Sequence, residues 1–207
     1  RALLVAGQVG IAVVLLIGAG TLIRSFLMLQ QTSLGFAPDR VATFEVNLPQ
    51  ARYADPALRI RFQEAFVERL RQLAGVERAG AVSWLPANGS YHTWGARVRD
   101  PDGAGRGVSA QMRGLEGDYF ETLRIPLVAG RGFTVADGLD SAGVVVVSRR
   151  FAQEAFGDRD PVGESVSILG NVQVRIIGVV GDVAYEADGA IAPALYATHR
   201  FFAADRN

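Results

Sequence analysis

The chain has 207 residues, of which 49% are hydrophobic and 20% are charged, a composition typical of a globular protein with a packed core. Its 21 basic residues, all of them arginine, balance 21 acidic residues, and no basic run exceeds the pair Arg149-Arg150; this excludes a nucleic-acid interface that works by phosphate neutralisation. The absence of cysteine excludes disulfides and thiolate metal ligands.

The first predicted element is a membrane-spanning helix. Residues 2–23 are apolar or small except for Gln8 and Thr21, with Arg1 and Arg24 at the two ends. At about 1.5 Å per residue, this stretch reaches the roughly 30 Å of a bilayer's hydrocarbon core. A buried helix of a soluble protein and a cleaved signal peptide are the alternatives. The length of the run without a charge favours a retained anchor in the lipid bilayer.

Charge alone leaves the orientation of this helix open, because one arginine flanks each end and the positive-inside rule needs an imbalance. Small residues would let a second helix approach closely, and Gln8 could hydrogen-bond across such a contact. Small residues are also common in membrane helices in general, so the pattern does not choose between a packed and a solitary helix. They are Ala6, Gly7, Gly10, Ala12, Gly18, Ala19 and Gly20.

A strand, a helix and a strand follow. Residues 34–39 contain Gly and Pro and are interpreted as a linker, and residues 41–48 alternate well enough for a half-buried strand. Asp55 is the expected N-cap of a helix that Gly75 stops, and residues 76–85 are the next predicted strand. One apolar stripe is expected to bury this helix. It consists of Leu58, Phe62, Ala65, Phe66, Leu70 and Leu73.

The middle of the chain is predicted to be a small β-rich insertion. Residues 88–107 are rich in glycine and polar side chains, with short strand candidates at 96–99 and 108–113. One helical turn is expected at 118–123 and a short extended piece at 125–128.

A second strand, helix, strand unit begins at residues 144–147, four consecutive valines suited to a strand buried on both faces. Ser148 is the expected cap of a helix that Gly157 closes, followed by strands at 164–169 and 172–182. The two strand, helix, strand units share an order of elements but little residue identity, so we interpret them as a structural similarity and not as a sequence repeat.

Candidates for catalysis or ligand binding are weak. His92 and His199 lie 107 positions apart, with no second His or Cys at metal-ligand spacing, and ordinary surface histidines are the better interpretation. Residues 103–107 (Gly-Ala-Gly-Arg-Gly) lack the strand before and helix after that a phosphate-cradling turn requires, which favours a hairpin turn or loop. Because the chain has no lysine, it carries no Walker-type nucleotide site.

Two further features have structural explanations. Gly181-Asp182 after a buried strand resembles a catalytic carboxylate position, but an Asp in a turn that hydrogen-bonds its own backbone is commoner. Trp84 and Trp94 flank a Pro-Ala-Asn-Gly loop and are either an apolar contact site or core packing. The sequence therefore predicts no catalytic, cofactor-binding or metal-binding residues and no cofactor.

Several short motifs together give the chain a family resemblance. Residues 1–26 resemble the first transmembrane helix of MacB/FtsX-type ABC transporter permeases, and the rest resembles their MacB-like periplasmic core domain, most closely in the duplicated orphan permeases common in acidobacteria. The motifs are Leu-Gly-Phe (34–36) with Pro38, Leu48-Pro49 with Tyr53, Ala74-Gly75-Val76, Asp118-Tyr119-Phe120, Ile125-Pro126, Ala129-Gly130-Arg131 with Phe133 and Asp137, Asp160-Pro161-Val162-Gly163, and Ile177 to Val183.

The resemblance implies an α+β fold: a transmembrane helix and membrane-exit segment at 1–30, then a two-lobed periplasmic domain at 31–207. One lobe, at about 36–87 and 140–200, would hold two β-α-β units, and the β-rich insertion would occupy about 88–139. The resemblance transfers no functional residue, and its motifs are expected to be turns and core contacts. Gly130, Gly163 and Gly178 are expected at positions that require glycine.

The function that the resemblance implies is that of a non-catalytic part of an ABC permease in the bacterial inner membrane. Its periplasmic domain would couple helix motion, driven by a cytoplasmic ABC ATPase on a separate chain, to export or to a partner protein. Other permease helices in a dimeric or pseudo-dimeric assembly would be further partners. Because the sequence begins at Arg1 and stops at Asn207 without a terminating feature, we expect a fragment of a longer protein. The alternatives are a ligand-sensing receptor ectodomain and, less favoured, an anchored hydrolase.

Overall fold

The structure, a computed structural model, describes residues 1–31, 34–86, 93–99, 105–138, 143–170, 172–185 and 189–204. The chain divides into two compact units, Arg1–Ser33 and Leu34–Asn207. The first unit is the helix α1 (Ala2–Gln31). Its stretch Val5–Ser25 has 21 residues and a mean hydropathy of 2.1, which is long and apolar enough to cross a membrane.

The second unit is built on one mixed sheet of eight strands. The strands are β1 (Gly80–Val82), β2 (Thr93–Arg99), β3 (Gly105–Gly117), β4 (Leu127–Gly130), β5 (Val144–Ser148), β6 (Ser165–Ile168), β7 (Val172–Val180) and β8 (Ala194–Thr198). The pairs β3–β8 and β5–β7 are parallel, and all other pairs are antiparallel.

The sheet closes on itself. The pairing order β3-β2-β6-β7-β5-β8 returns to its start because β8 also pairs with β3, while β1 and β4 are attached to β3 and β7 as additional strands. Closure leaves the strands of the circuit without a free edge along their paired lengths. The predicted insertion strands β2 and β3 therefore share one sheet with β5 to β8.

The helices of the second unit are short, apart from one. They are α2 (Pro56–Arg71), α3 (Tyr119–Thr122), α4 (Arg149–Phe156) and α5 (His199–Ala204), and Val135–Gly138 forms a 3₁₀ turn. Three of the predicted positions are confirmed: the single turn α3, the helix α2 with its Asp55 cap, and the helix α4. The Asp55 carboxylate accepts a hydrogen bond from the Ala57 amide at 2.8 Å.

The strand β5 and helix α4 form as predicted from the second half of the sequence. The Ser148 hydroxyl accepts a bond from Phe151 N at 3.1 Å and so caps α4, and Gly157 ends the helix with a positive φ of 65°. The strand β5 is buried over its whole length. Val145 and Val147 face one core cluster, and Val144 and Val146 face the other, which explains why an uninterrupted apolar run is needed here.

The first predicted strand is wrong. Residues 41–48 form no strand among the described residues and are largely exposed, including Phe44 at 56%. The following strand is only the three residues of β1, not 76–85. Instead of pairing in the sheet, this segment packs by an aromatic contact, with the Phe44 ring 5.8 Å from that of Phe66 on α2. Alternation favoured a strand, but none of the described strands pairs with this segment.

The predicted apolar stripe of α2 is also wrong in its direction. Leu58 and Ala65 are exposed, and the residue buried against the sheet is Val67, which is 2% exposed. The two aromatic residues of the stripe cover a different face, where the rings of Phe62 and Phe66 stack 5.6 Å apart. Large side chains thus pack on a local aromatic cluster, whereas the small Val67 fits the closer contact with the sheet.

Glycine is required at the tight crossing of β4 and β7, as expected. Gly130 has a φ of +68°, and a Cβ on Gly178 would lie 2.2 Å from the Arg131 carbonyl oxygen. Gly163 has a backbone φ of +93°, which also favours glycine at that position. These motif glycines serve backbone geometry.

The turn after β4 is held by an ion pair. The Nη1 and Nη2 atoms of Arg131 donate to the Asp137 carboxylate at 2.6 and 2.8 Å, and Thr134 donates two further bonds to it. These donors hold the pKa of Asp137 well below its usual range. This part of the family motif therefore shapes a turn.

The burial of Val67 yields a test of the α2 register. We expect Val67→Asp to destabilise the second unit by about 3 to 5 kcal/mol, because it buries an unpaired charge. The matched control Leu58→Asp lies on the exposed face of the same helix and should change stability by no more than about 0.5 kcal/mol. Chemical unfolding of the two variants in detergent measures both. Equal losses would restore the stripe predicted from sequence and contradict the register described here.

Candidate functional site

The most unusual polar side chain of the described residues is Arg113 on β3. It is 1% exposed. Its Nη1 donates to the Trp84 carbonyl oxygen at 2.9 Å, and its Nη2 donates to Gln111 Oε1 at 2.8 Å. The Nε atom is buried and has no hydrogen-bond partner in the structure. Buried cations are usually paired with a carboxylate, so this site is held by a different means.

Aromatic rings take the place of a counter-ion. The guanidinium of Arg113 lies 3.3 Å from the centroid of the Tyr185 ring, a close cation–π contact. The Tyr185 hydroxyl is hydrogen-bonded to that of Tyr119 at 3.1 Å and to that of Tyr196 at 3.0 Å. A continuous chain of three hydroxyls therefore lies beside the buried cation.

The electrostatics of this cluster follow from burial. Loss of solvent lowers the pKa of Arg113, and nearby tyrosine hydroxyls partly offset this effect. Burial raises the pKa of Tyr119, Tyr185 and Tyr196. The three phenols consequently stay neutral at pH 7, where they can exchange hydrogen bonds but supply no nucleophile. We call these residues, with Gln111, the Arg113 cluster.

The Arg113 cluster joins four parts of the fold. Arg113 and Gln111 come from β3, Tyr119 from α3, Tyr196 from β8, and Tyr185 from the segment after β7. Its arrangement can fix these elements relative to one another through directional contacts. Sequence patterns do not reveal this cluster, because Gln111 and Arg113 alternate with apolar residues, as is typical of a strand with one solvent-facing side. Tyr119 lies in the predicted turn 118–123 and Tyr185 follows the predicted strand 172–182, but Tyr196 lies in β8, a strand that was not predicted.

The residues singled out from the sequence lie apart. Asp182 accepts a hydrogen bond from Arg150 N at 2.6 Å, so its carboxylate serves the start of α4. The predicted bond from this carboxylate to its own turn is replaced by a bond to a helix that lies 32 positions away in sequence. Residues 105–107, predicted as part of a hairpin turn or loop, belong to β3 and pair with residues 97–99 of the antiparallel strand β2. His92 and residues 103–104 lie outside the described residues.

The two tryptophans have different environments. Trp84 is half-buried and its carbonyl oxygen accepts from Arg113, whereas Trp94 on β2 is 40% exposed. Most of the loop between them lies outside the described residues. Within the part of the chain that the structure covers, no group of three or more His, Asp or Glu side chains could hold a metal ion.

A second polar arrangement ties α2 to its neighbours. Arg200 of α5 contacts Glu64 of α2 at 2.5 Å, and Arg71 contacts Asp118 at 2.9 Å. Glu116 on β3 lies near both pairs, and its pKa is raised by burial first and by the charge of Glu64 second. These contacts dock α5 and α3 against α2.

His199 opens α5 beside this network and is half-buried, so its interpretation as an ordinary surface histidine is wrong. Its Nε2 atom is buried with no hydrogen-bond partner in the structure, and burial lowers its pKa to about 4. The imidazole is therefore neutral in the folded state near pH 7. Protonating it would place a charge in a poorly solvated position.

The Arg113 cluster yields a second prediction. Arg113→Lys removes the planar guanidinium and cannot reproduce its contacts to Trp84, Gln111 and Tyr185 together. We expect a loss of about 1 to 3 kcal/mol in unfolding free energy, because buried acceptors lose their donors. Arg97→Lys on β2 is the matched control, since Arg97 is exposed. Chemical unfolding compares the two, and equal stability of both variants would contradict a structural role for the guanidinium.

His199 yields a prediction on acid stability. Its folded pKa lies below the ordinary value of 6.5. The free energy of unfolding is therefore unaffected by this histidine above pH 6.5 and decreases as the pH falls towards 4. Between pH 7.5 and pH 4.5 we expect this group to cost about 2 to 3 kcal/mol of stability. His199→Gln should remove that component in chemical unfolding at the two pH values.

The raised pKa of Glu116 acts in the opposite direction, since protonation of Glu116 favours the folded state at low pH. Because both proteins carry Glu116, the difference between wild type and His199→Gln isolates the histidine. An identical loss of stability in the two proteins on acidification would contradict the buried, neutral imidazole.

Comparison with known proteins gives a family match over almost the whole chain. Residues 2–206 match the family described as "MacB-like periplasmic core domain". The solved periplasmic region of MacB from Actinobacillus actinomycetemcomitans superposes with a TM-score of 0.50 at 20% identity, covering 69% of this chain and 57% of that one. At this identity the likeness shows a shared fold.

Curated relatives match shorter stretches. A "Probable syringafactin export ATP-binding/permease protein" of Pseudomonas syringae pv. tomato is 37% identical over 76 residues, which is 36% of this chain and 11% of that protein. An "Uncharacterized ABC transporter permease" of Bacillus subtilis is 27% identical over 122 residues, 59% of this chain and 28% of that protein. The chain thus spans between 11% and 28% of the length of these relatives.

Proposed function

The chain belongs to the MacB-like periplasmic core domain family, and on that basis we propose that it is part of an ABC transporter permease. The family match over residues 2–206 is the observation that carries this proposal. The apolar helix α1, with its stretch Val5–Ser25, supports membrane anchoring of the domain that follows. In this proposal the parent protein moves a substrate, or acts on a partner protein, outside the cytoplasm.

The domain itself is proposed to be non-catalytic. Its most unusual buried group, Arg113, is engaged with aromatic rings and backbone, and the phenols beside it have raised pKa values. Asp182, the carboxylate at a strand end, is engaged with the start of α4. These side chains support a role in mechanics better than a role in bond breaking.

The energy source is proposed to be an ABC ATPase in the cytoplasm. The Pseudomonas syringae relative is named an ATP-binding/permease protein, and the Bacillus subtilis relative is named a permease. Because this chain has no lysine and hence no Walker-type site, ATP hydrolysis needs another polypeptide segment. We place that segment on a separate chain, in a dimeric or pseudo-dimeric complex with further permease helices.

The proposed location is the bacterial inner membrane, with the N-terminus in the cytoplasm and the domain in the periplasm. The family description supports the periplasmic side, which charge counting left open. We also propose that the parent domain has the two-lobed organisation expected from the resemblance. In this proposal, helix motion driven by ATP moves the lobes, which is mechanotransmission across the membrane.

The receptor alternative loses support. A receptor would also present one anchor and an α+β domain, but the family and the relatives reported above point to permeases. A cytosolic signalling domain in the parent protein would have been its distinguishing feature.

The chain's lack of cysteine allows a direct test of sidedness. Val135→Cys places a thiol at a position that is 87% exposed, and Arg1→Cys places one before the membrane helix. In intact spheroplasts we expect a membrane-impermeant maleimide to label the first variant, and to label the second only after permeabilisation. The reverse pattern would contradict the proposed orientation.

The energy source is tested on the purified parent protein. We expect it to form a complex that hydrolyses ATP, and that loses hydrolysis when the Walker lysine of the ATPase subunit is replaced by alanine. A parent protein that instead carries a single span and a cytosolic signalling domain would overturn the permease proposal in favour of the receptor.

A further inference from the structure

The parallel pair β3–β8 is the place where the sheet of the second unit returns to its start, and we call this pair the seam. Five residues of each strand are in register there, from Gln111 opposite Ala194 to Leu115 opposite Thr198. On its other side β8 pairs with β5 through two residues. Because parallel pairing is slightly less stable per residue than antiparallel pairing, the backbone holds β8 less firmly than it holds the longer antiparallel pair β2–β3.

Buried polar side chains are concentrated at the seam. Gln111, Arg113 and Ser148 are the buried polar or charged residues of the part of the chain that the structure describes. The first two belong to the seam itself, and the Ser148 hydroxyl accepts a hydrogen bond from Ala194 N at 3.0 Å, at the start of β8. Separating two apolar strands only exposes carbon to water, whereas separating β3 from β8 returns a guanidinium and an amide to water. Opening the seam is therefore less costly than opening an apolar strand pair of the same length.

The side chain of Tyr185 bridges the seam. Arg113 of β3 and Tyr196 of β8 lie opposite each other in the register of the two strands. The Tyr185 ring lies 3.3 Å from the Arg113 guanidinium, and the Tyr185 hydroxyl is hydrogen-bonded to that of Tyr196 at 3.0 Å. Tyr185 belongs to neither strand, so a single side chain from outside the pair contacts one residue of each strand.

The backbone that leads to Tyr185 is fixed at a distance from the seam. The Asp182 carboxylate accepts a hydrogen bond from Arg150 N at 2.6 Å, at the start of α4. Residues 183–185 are each at most 2% exposed. We call residues 181–185 the strap, because one end of this segment is bonded to α4 and the other end lies on the seam.

We propose that the strap holds the seam closed, and that the second unit has a locally open state in which β8 separates from β3 while the rest of the sheet stays folded. Release of Tyr185 removes the cation–π contact to Arg113 and the hydroxyl bond to Tyr196 together, because one side chain makes both. Local openings of this kind have lower free energies than global unfolding. The inference concerns the second unit alone and does not depend on the permease function proposed above.

Amide hydrogen exchange of the whole chain in detergent micelles tests for the open state. Gln111 N donates to the Pro193 carbonyl oxygen at 2.8 Å at the start of the seam, whereas Ile176 N on β7 donates to the Glu164 carbonyl oxygen at 2.9 Å, outside the seam. Relative to their rates in an unfolded chain, we expect Gln111 to exchange at least about tenfold faster than Ile176. Equal protection of the two amides would overturn the open state.

Two variants distinguish opening of the seam from global unfolding. Tyr185→Leu removes the ring and the hydroxyl that bridge the seam, so we expect it to accelerate exchange at Gln111 about tenfold. Ile168→Val trims a buried side chain of β6 whose contacts the open state keeps. It should accelerate exchange at Ile176 about threefold and leave exchange at Gln111 unchanged. The same acceleration of Gln111 in both variants would contradict a separate opening of the seam.

A covalent bridge across the seam gives a second test, which stays informative if Tyr185→Leu fails to fold. The chain has no cysteine, and Leu115 of β3 lies opposite Thr198 of β8. Neighbouring strands are close enough for a disulfide between such positions. In the double variant Leu115→Cys with Thr198→Cys, the oxidised and reduced forms carry the same substitutions, so the reduced form is the matched control.

The bridge should abolish the open state. In the oxidised form we expect Gln111 to be as well protected as Ile176, because β8 is bonded to β3 and the seam cannot open. In the reduced form Gln111 should again exchange at least about tenfold faster than Ile176, relative to their rates in an unfolded chain. An equal ratio of the two exchange rates in the oxidised and reduced forms would overturn the proposal, because the bridge would then have no opening to prevent.

Discussion

The fold of the second unit, Leu34–Asn207, depends on one strand, β8, which pairs with β5 on one side and with β3 on the other. This double pairing closes the circuit of strands. Once the circuit is closed, both faces of β5 are covered, and side chains that would be wet on an open sheet become buried. Arg113 on β3 and Tyr196 on β8 are the clearest cases, since both are at most 1% exposed.

Closure of the sheet accompanies the burial of the Arg113 cation, and the neighbouring aromatic and polar groups stabilise it there. A guanidinium without water needs directional acceptors and a polarisable neighbour, which the Gln111 amide, the Trp84 carbonyl and the Tyr185 ring supply. The backbone next to the same tyrosine is hydrogen-bonded to the first residues of the second unit, because Ala184 N donates to the Leu34 carbonyl oxygen.

Local sequence signals predicted the elements whose stability is local. The valines of β5, the Ser148 cap and Gly157 correctly predicted β5 and α4, because burial and capping there depend on near neighbours. The alternation of residues 41–48 predicted a strand that does not form, since strand formation needs a partner that alternation cannot guarantee. The face of α2 was misjudged for a related reason: Phe62 and Phe66 are the more hydrophobic residues, but they pack on each other.

The sequence by itself determined the apolar helix, the family, and the order of most helices and strands, because each depends on composition or on contacts between residues close in the chain. Only the tertiary structure decided that β8 closes the sheet, that Arg113 is buried, and that Gly35 abuts Asp182. The pairing of Gln111 with Ala194 joins residues 83 positions apart, Arg113 and Tyr185 are 72 apart, and Gly35 and Asp182 are 147 apart. Pairings of that range depend on the three-dimensional path of the whole chain, and no local pattern of residues encodes them.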